Sequence, residues 1–130
     1  SAVTYKLAGD AARLSQSFEQ AIELYGSLLA NYRWRGELTP QAIYWTGQCY
    51  FLSGDPVKAF AYFQRVYVLY SQYADWTAKA YAGTVRCLQA LGKQEGVEET
   101  WWEMVSIPEI AATPEGRQAQ RELDALWENR

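Results

Sequence analysis

Apolar and small side chains recur along the chain at a constant step of 38 residues. Tyr25, Phe63 and Trp101 are separated by this step, so each of three copies carries one large aromatic side chain. The step also relates Gly9 to Gly47, Gly54 to Gly92, Cys49 to Cys87, Ala21 to Ala59 and Val97, Leu28 to Val66 and Met104, and Leu29 to Tyr67 and Val105. A register kept without gaps over three copies predicts an internal structural repeat.

The second copy indicates that each repeat is a pair of helices. Thr39-Pro40 offers an N-cap and a proline for the first helical position, so a helix is expected over about 41–52. Ser53-Gly54-Asp55-Pro56 ends it, because Gly54 suits a left-handed C-terminal position and Asp55 can cap the next helix. That helix is predicted to reach about Tyr70, with an apolar stripe formed by Ala59, Phe63 and Val66.

The other copies extend this pattern and add a last helix. Helices are predicted near 3–15 and 18–33 in the first copy, and near 76–91 and 94–106 in the third. Thr113-Pro114-Glu115 begins a final helix that reaches about Glu128 and has the apolar stripe Ala119, Leu123, Leu126 and Trp127. Because the end of a stack of helix pairs exposes an apolar face, this helix is expected to cap it. The total is seven helices and no strand.

The repeat unit resembles the tetratricopeptide repeat. In the second copy the resemblance rests on Tyr44-Trp45, Gly47, Tyr50, Gly54-Asp55, Ala59, Phe63 and Val66. It implies an all-α fold, a right-handed α-α superhelix of three helix pairs with a C-terminal capping helix. The expected arrangement is a single domain over 1–130, with repeats at about 2–35, 40–73 and 78–111 and the cap at about 114–129. The resemblance implies a protein-binding scaffold with no enzymatic activity.

The third copy departs from the pattern at its first helix. Val85 stands where the family places a small residue, whereas a register shifted by two residues would use Gly83 instead. We prefer the gapless register, which predicts a looser approach of the two helices in this copy.

A narrower likeness extends from Ala42 to Leu126. The runs Tyr44-Trp45-Thr46-Gly47-Gln48, Ala61-Tyr62-Phe63 and Gln118–Leu123 are similar to the Tol–Pal-associated cell-division coordinator proteins of bacteria. The outer-membrane assembly lipoproteins with the same repeats are close neighbours. This likeness implies a role in the periplasm or cell envelope, with the cytoplasm as the alternative. The coordinator proteins carry a trimerising coiled coil, and no such heptad segment is present here, so the oligomeric state stays open.

Composition and charge argue against disorder, nucleic-acid binding and membrane insertion. With 49% hydrophobic and 21% charged residues, the chain is too apolar for disorder. The net charge is −3, and Arg33-Trp34-Arg35 is the densest basic stretch, so no nucleic-acid partner is predicted. No apolar run reaches the roughly 18 residues of a membrane span, so no membrane insertion is expected.

The composition offers no candidate catalytic, metal-binding or cofactor-binding residues. The chain has no histidine and no glycine-rich phosphate loop, and the acidic residues Glu95, Glu98, Glu99 and Glu103 are interpreted as a solvated helix face. No metal, cofactor or catalytic residue is predicted. Cys49 and Cys87 occupy equivalent packing positions and are expected to be buried free thiols.

The first helix of each repeat should line the concave groove where a peptide or protein partner binds. The predicted partner-binding residues are Lys6, Asp10, Arg13, Tyr44, Trp45, Gln48, Phe51, Lys79 and Arg86. The alternative is that the charges are solvated and the aromatics packed. A carboxylate clamp of the kind that binds chaperone tails is rejected, because Asp10 and Trp45 replace its asparagines and Gly83 replaces its arginine.

Two other observations leave alternatives open. Trp34, between Arg33 and Arg35, is either a second contact surface or folded back over the first helix pair. Trp102 is expected on the convex face or under the last helix. The alternative function is structural self-assembly, in which the ends or faces of the solenoid pair into an oligomer.

Overall fold

The computed structural model describes residues 1–31 and 36–129. Within these residues it contains eight helices and no strand. The helices are α1 (Ala2–Leu14), α2 (Phe18–Asn31), α3 (Leu38–Leu52), α4 (Pro56–Leu69), α5 (Ala74–Ala90), α6 (Gln94–Ser106), α7 (Pro108–Ala111) and α8 (Pro114–Glu128). The predicted all-α fold is confirmed. The prediction of seven helices was wrong, because the short α7 was missed.

The helices pack in the order expected for a solenoid. The pairs are α1 with α2, α3 with α4, and α5 with α6, and successive pairs are joined by the contacts of α2 with α3 and of α4 with α5. Helix α8 packs on α6 and covers the end of the stack. Three buried clusters follow the chain, and each is centred on one of the repeated aromatics, Tyr25, Phe63 or Trp101.

Glycines opposite these aromatics set the spacing of the helices. A Cβ atom added to Gly9 would lie 2.6 Å from the Tyr25 ring, and one added to Gly47 would lie 2.9 Å from the Phe63 ring. Both pairs are 16 residues apart, as are Val85 and Trp101. In the third copy Val85 is buried in the cluster of Trp101, whereas Gly83 contacts Phe63 of the preceding pair. The gapless register is therefore the structural one.

The third helix pair is the looser one, as predicted. Close backbone approaches between α5 and α6 are fewer than those within either of the first two pairs. In the first two copies an aromatic ring lies directly against the glycine, whereas in the third copy the side chain of Val85 takes up part of that space and keeps the two backbones apart.

The helix ends confirm most of the predicted caps. Gly54 and Gly92 have the left-handed φ values of +87° and +70°. The Asp55 carboxylate accepts a hydrogen bond from the Lys58 backbone N–H at 3.1 Å, and the Thr113 hydroxyl accepts one from the Gly116 N–H at 3.0 Å. Such side chains satisfy donors that have no partner inside the helix.

The predicted start of α3 was wrong. This helix begins at Leu38, so Thr39 and Pro40 lie inside its first turn and are buried. A proline is tolerated there because the first N–H groups of a helix have no internal acceptor. The predicted end of the preceding helix at residue 33 lies outside the described residues.

The capping helix is confirmed in outline and corrected in one detail. Ala119 and Leu123 of α8 are buried against Trp101 and Met104 of α6, and Leu126 is partly buried there. Trp127, which we assigned to the same stripe, is 77% exposed. Helix α7 turns the chain under α8, and its Ile110 is buried in the same cluster.

Candidate functional site

The predicted groove residues lie on α1, α3 and α5, and the structure links them in a chain of contacts. Arg13 of α1 places its guanidinium carbon 3.7 Å from the centre of the Trp45 ring on α3. Arg86 of α5 donates a hydrogen bond from Nη2 to Oε1 of Gln48 on α3 at 2.9 Å. Residues 38 positions apart are neighbours across two repeats, so the first helices form one continuous face.

The charges of α1 are paired with one another. Asp10 forms an ion pair with Lys6 at 2.6 Å and accepts a hydrogen bond from the Tyr25 hydroxyl at 2.5 Å. Arg13 lies 3.6 Å from the same carboxylate and donates from Nε to the Tyr25 hydroxyl at 3.2 Å. The three charged side chains at this end of the face are thus held in place. The negative charge of Asp10 is balanced by Lys6 and Arg13.

Titration of this network follows from its contacts. Partial burial alone would raise the pKa of Asp10, but hydrogen bonds from Lys6 and Tyr25 and the charges of Lys6 and Arg13 outweigh it, and the pKa is lowered. Burial, followed by the hydrogen bond to Asp10, raises the pKa of Tyr25. The phenol therefore stays protonated and remains a donor to the carboxylate.

The aromatic part of the predicted groove is largely packed. Tyr44 is buried, with its ring centre 5.4 Å from Phe63 and 5.7 Å from Trp76. It is therefore not exposed in a groove, which corrects its assignment as a contact residue. Trp45 is half-buried, edge-on to Tyr44 at 4.8 Å and covered by Arg13.

The remaining predicted residues approach the C-terminal end of the face. Phe51 is half-buried, and the guanidinium carbon of Arg86 lies 5.8 Å from its ring centre. Lys79 turns toward α8, where its ammonium is 3.6 Å from the Glu115 carboxylate. The ion pair places Lys79 beside the capping helix, whereas Arg86 contacts α3.

Between α5 and α8 lies a cavity of about 420 Å³ that is open to solvent. Its apolar lining comes from Val85, Trp101, Met104 and Ala119, and its polar lining includes Arg86, Gln89, Gln118, Arg121 and Glu122. We call this cavity the α5/α8 groove. It joins the predicted face at Arg86, and most of its polar lining belongs to the capping helix.

Sequence reasoning missed the contribution of α8, because the tail was interpreted only as a cap. A signal was present in Gln118, Arg121 and Glu122, which share one side of the helix at spacings of three and four residues. In the structure Arg121 donates from Nη2 to Gln118 at 2.6 Å, and Gln118 donates to Glu122 at 2.8 Å. A polar ladder of this kind beside a buried stripe can line a groove.

The described residues offer no metal centre, since no group of three His, Cys, Asp or Glu side chains among them could hold an ion. Both cysteines are buried and free, as predicted. No helix in the described part of the chain is both long and apolar enough to cross a membrane.

Residues 41–73 match the family model of the tetratricopeptide repeat. The match covers most of α3 and all of α4, which is nearly the whole of the second predicted copy and about a quarter of the chain. Tetratricopeptide repeats generally mediate protein–protein interaction and are typically non-catalytic scaffolds, and this coarse function agrees with the all-helical stack. Among curated proteins no match to the chain was found.

The sequence left the positions of Trp102 and Trp34 open, and the structure describes only the first of them. Trp102 is 62% exposed and lies beside α8 rather than under it. Trp34, with its neighbours Arg33 and Arg35, lies outside the described residues, and its proposed contact role stays a prediction.

Proposed function

We propose that this chain is a protein-interaction module that holds a segment of a partner protein in the α5/α8 groove. The observation that supports the proposal is the groove itself, which is lined by both apolar and polar side chains, Arg86 among them. Grooves that bind peptides combine apolar area for affinity with a few placed polar groups for orientation. The tetratricopeptide match in α3 and α4 gives the same class of function.

The groove has both signs of charge available for a partner. Arg86 is held by Gln48, and Arg121 is held by Gln118, so neither guanidinium has to be ordered when a ligand binds. Fixing long side chains in advance reduces the entropic cost of association. Glu122 adds an acceptor beside these donors. A partner segment with apolar side chains and mixed charge suits this lining.

The remaining predicted contacts extend the groove toward the N-terminus. The residues concerned are Lys6, Asp10, Arg13, Trp45, Gln48 and Phe51, and we propose that they contact the partner if its segment is long. We propose the same role for Lys79, which lies at the other end, next to Glu115 of α8. Tyr44 is left out, because its ring is part of the core.

Affinity capture tests this proposal. The domain and an Arg86→Ala/Gln89→Ala/Arg121→Ala variant are immobilised and exposed to envelope and cytosolic extracts of the organism that encodes the chain. A matched control is Gln64→Ala/Arg65→Ala, which truncates exposed side chains on α4. We expect a partner that the groove variant loses and the control keeps. A partner kept by both variants would contradict binding in this groove.

The cellular setting we propose is a bacterial cell envelope, and it rests on the likeness to the cell-division coordinator proteins and assembly lipoproteins alone. Capture of the partner from the envelope extract would support it. Capture from the cytosolic extract only would contradict it.

Self-assembly is the second candidate function, and one feature of α1 favours it. Val3, Leu7 and Leu14 lie along one side of this helix and are 53%, 60% and 74% exposed. Such a stripe is the kind of surface that a second copy could cover. A solution mass that rises with concentration in the parent and stays monomeric in a Leu7→Gln/Leu14→Gln variant would support this function.

A further inference from the structure

A second cleft lies on the opposite side of α8 from the α5/α8 groove. It encloses about 120 Å³ between α6 and α8 and is lined by Glu98, Trp102, Gln120, Leu123, Asp124, Leu126 and Trp127. None of these residues lines the groove. We call it the tryptophan cleft. The two sites are independent, since residues 118 and 122 of α8 face one way and residues 120, 124 and 127 face the other.

Each helix supplies one indole and one carboxylate to this cleft. Glu98 and Trp102 are four residues apart on α6, and Asp124 and Trp127 are three residues apart on α8, so each pair shares a helix face. Trp102 is 62% exposed and Trp127 is 77% exposed. Two indoles that are exposed to this extent and line one cleft form a feature that marks interaction surfaces.

The charge of the chain is strongly divided along its length. Residues 94–130 contain nine acidic and three basic side chains, a net charge of −6, whereas residues 1–93 contain six acidic and nine basic ones, a net charge of +3. The tryptophan cleft therefore lies in the acidic part of the solenoid, and none of the described residues that line it is a Lys or Arg. An acidic field of this kind attracts basic partners and raises their rate of encounter.

The cleft is smaller than a pocket for a small organic ligand, which usually takes about 300 Å³ or more. Its size suits one long side chain. Indole faces attract Lys and Arg cations, and Trp is the best of the aromatics in this respect. The carboxylates of Glu98 and Asp124 line the same cleft, and Asp124 already accepts a hydrogen bond from Gln120 at 3.0 Å. A carboxylate oxygen has lone pairs for more than one donor, so a cation can be added to these partners.

We propose that the tryptophan cleft binds a Lys or Arg side chain from a basic, amphipathic segment of a partner protein. The apolar residues of that segment cover Trp102, Leu126 and Trp127, and its cation lies between the indoles and the carboxylates. The inference goes beyond the groove function, because it assigns a second surface with different chemistry. One partner could contact both surfaces, or two partners could bind at once.

The probe for this test is a fluorescein-labelled amphipathic peptide made of Leu and Arg, with a second peptide in which Glu replaces every Arg. Binding is followed by fluorescence anisotropy at several salt concentrations. Three variants are compared with the parent: Trp102→Ala/Trp127→Ala, Glu98→Gln/Asp124→Asn, and the matched charge control Glu19→Gln/Glu23→Gln on exposed positions of α2.

We expect the Leu/Arg peptide to bind the parent and the Leu/Glu peptide to bind at least about tenfold more weakly. The tryptophan variant should bind the Leu/Arg peptide about tenfold or more weakly, because exposed indoles commonly dominate such contacts. The Glu98→Gln/Asp124→Asn variant should lose affinity and salt dependence, whereas the α2 control should keep both.

Three results would overturn the proposal: no binding of the Leu/Arg peptide to the parent, equal binding to the tryptophan variant, or an equal loss in the α2 control. A concentration-dependent rise in mass that the tryptophan variant abolishes would assign the cleft to a second copy instead. The groove variant Arg86→Ala/Gln89→Ala/Arg121→Ala should bind the peptide no more weakly than the parent, because it removes two cations and no residue that lines the cleft. Failure of one proposal therefore leaves the other distinguishable.

Discussion

The guanidinium of Arg13 lies over the indole of Trp45, with 3.7 Å between its central carbon and the ring centre. Arg13 belongs to α1 and Trp45 to α3, so this contact joins the first helices of two successive repeats. The same guanidinium donates to the Tyr25 hydroxyl on α2. One side chain thus ties together three helices.

We therefore expect Arg13→Ala to lower the free energy of unfolding by about 1–2 kcal/mol, because it removes a partly buried cation–π contact and a hydrogen bond. Chemical denaturation measures the loss. The control is Arg65→Ala, whose guanidinium lies 5.2 Å from the Tyr62 ring at an exposed position. That change should cost less than about 0.5 kcal/mol. Equal losses in the two variants would argue against a special role for Arg13.

Three glycines offer a matched test of helix spacing. A methyl group on Gly83 would lie 2.7 Å from the Phe63 ring, whereas one on Gly26, in the middle of α2, would meet nothing within 4 Å. We expect Gly83→Ala to cost about 1–3 kcal/mol by overpacking. Gly26→Ala should stabilise the fold by about 0.4–1 kcal/mol, because alanine restricts the unfolded chain. Gly47→Ala should resemble Gly83→Ala, and thermal unfolding would reveal any reversal of these signs.

The lowered pKa of Asp10 predicts how stability changes with acid. The folded pKa lies below the ordinary value of 3.8, so the carboxylate stabilises the fold above that value and loses this contribution as the pH falls through the folded pKa. We expect Asp10→Asn to be less stable than the parent at neutral pH, and the difference to shrink below about pH 4. A difference that stays constant down to about pH 2 would contradict this interpretation.

The raised pKa values of the two buried thiols predict the opposite dependence, a loss of stability as the pH rises. Burial raises the pKa of Cys49 and of Cys87 from 9.0 to about 11. A raised pKa stabilises the fold below the ordinary value, and the contribution is lost as the pH rises through the folded value. Between pH 9 and 11 the parent should therefore lose more stability than a Cys49→Ala/Cys87→Ala variant. The tyrosines titrate in both proteins, so parallel stability curves would show that the thiols contribute nothing.

Local patterns explain why most of the fold could be predicted from the sequence. The match of Gly9 to Tyr25 and of Gly47 to Phe63 is a steric rule within one helix pair, and it repeats at a fixed step. The turns at Gly54 and Gly92 and the cap at Asp55 need only their own residues. From these features the helix pairs, the gapless register and the looser third copy could be predicted.

The errors concern features that depend on several helices at once. Tyr44 is buried because Trp76 of the next repeat packs over it, and no property of α3 alone indicates this. The α5/α8 groove exists because α8 crosses beside α5, and the sequence places α8 only as a cap. Helix α7 is a four-residue turn, too short for a periodic signal. Side-chain exposure at the site therefore required the structure.

Phe63 has a consequence for how the solenoid unfolds. Its ring lies between Gly47 of its own repeat and Gly83 of the next, so both neighbouring first helices close on the same side chain. In stacked repeats, the free energy of unfolding is the sum of a contribution from each repeat and a contribution from each interface between neighbours. The Phe63 ring contributes to both, so the second and third repeats cannot separate without exposing it to water. The two should melt as one cooperative block, to which the contact of Arg13 with Trp45 joins the first helix pair.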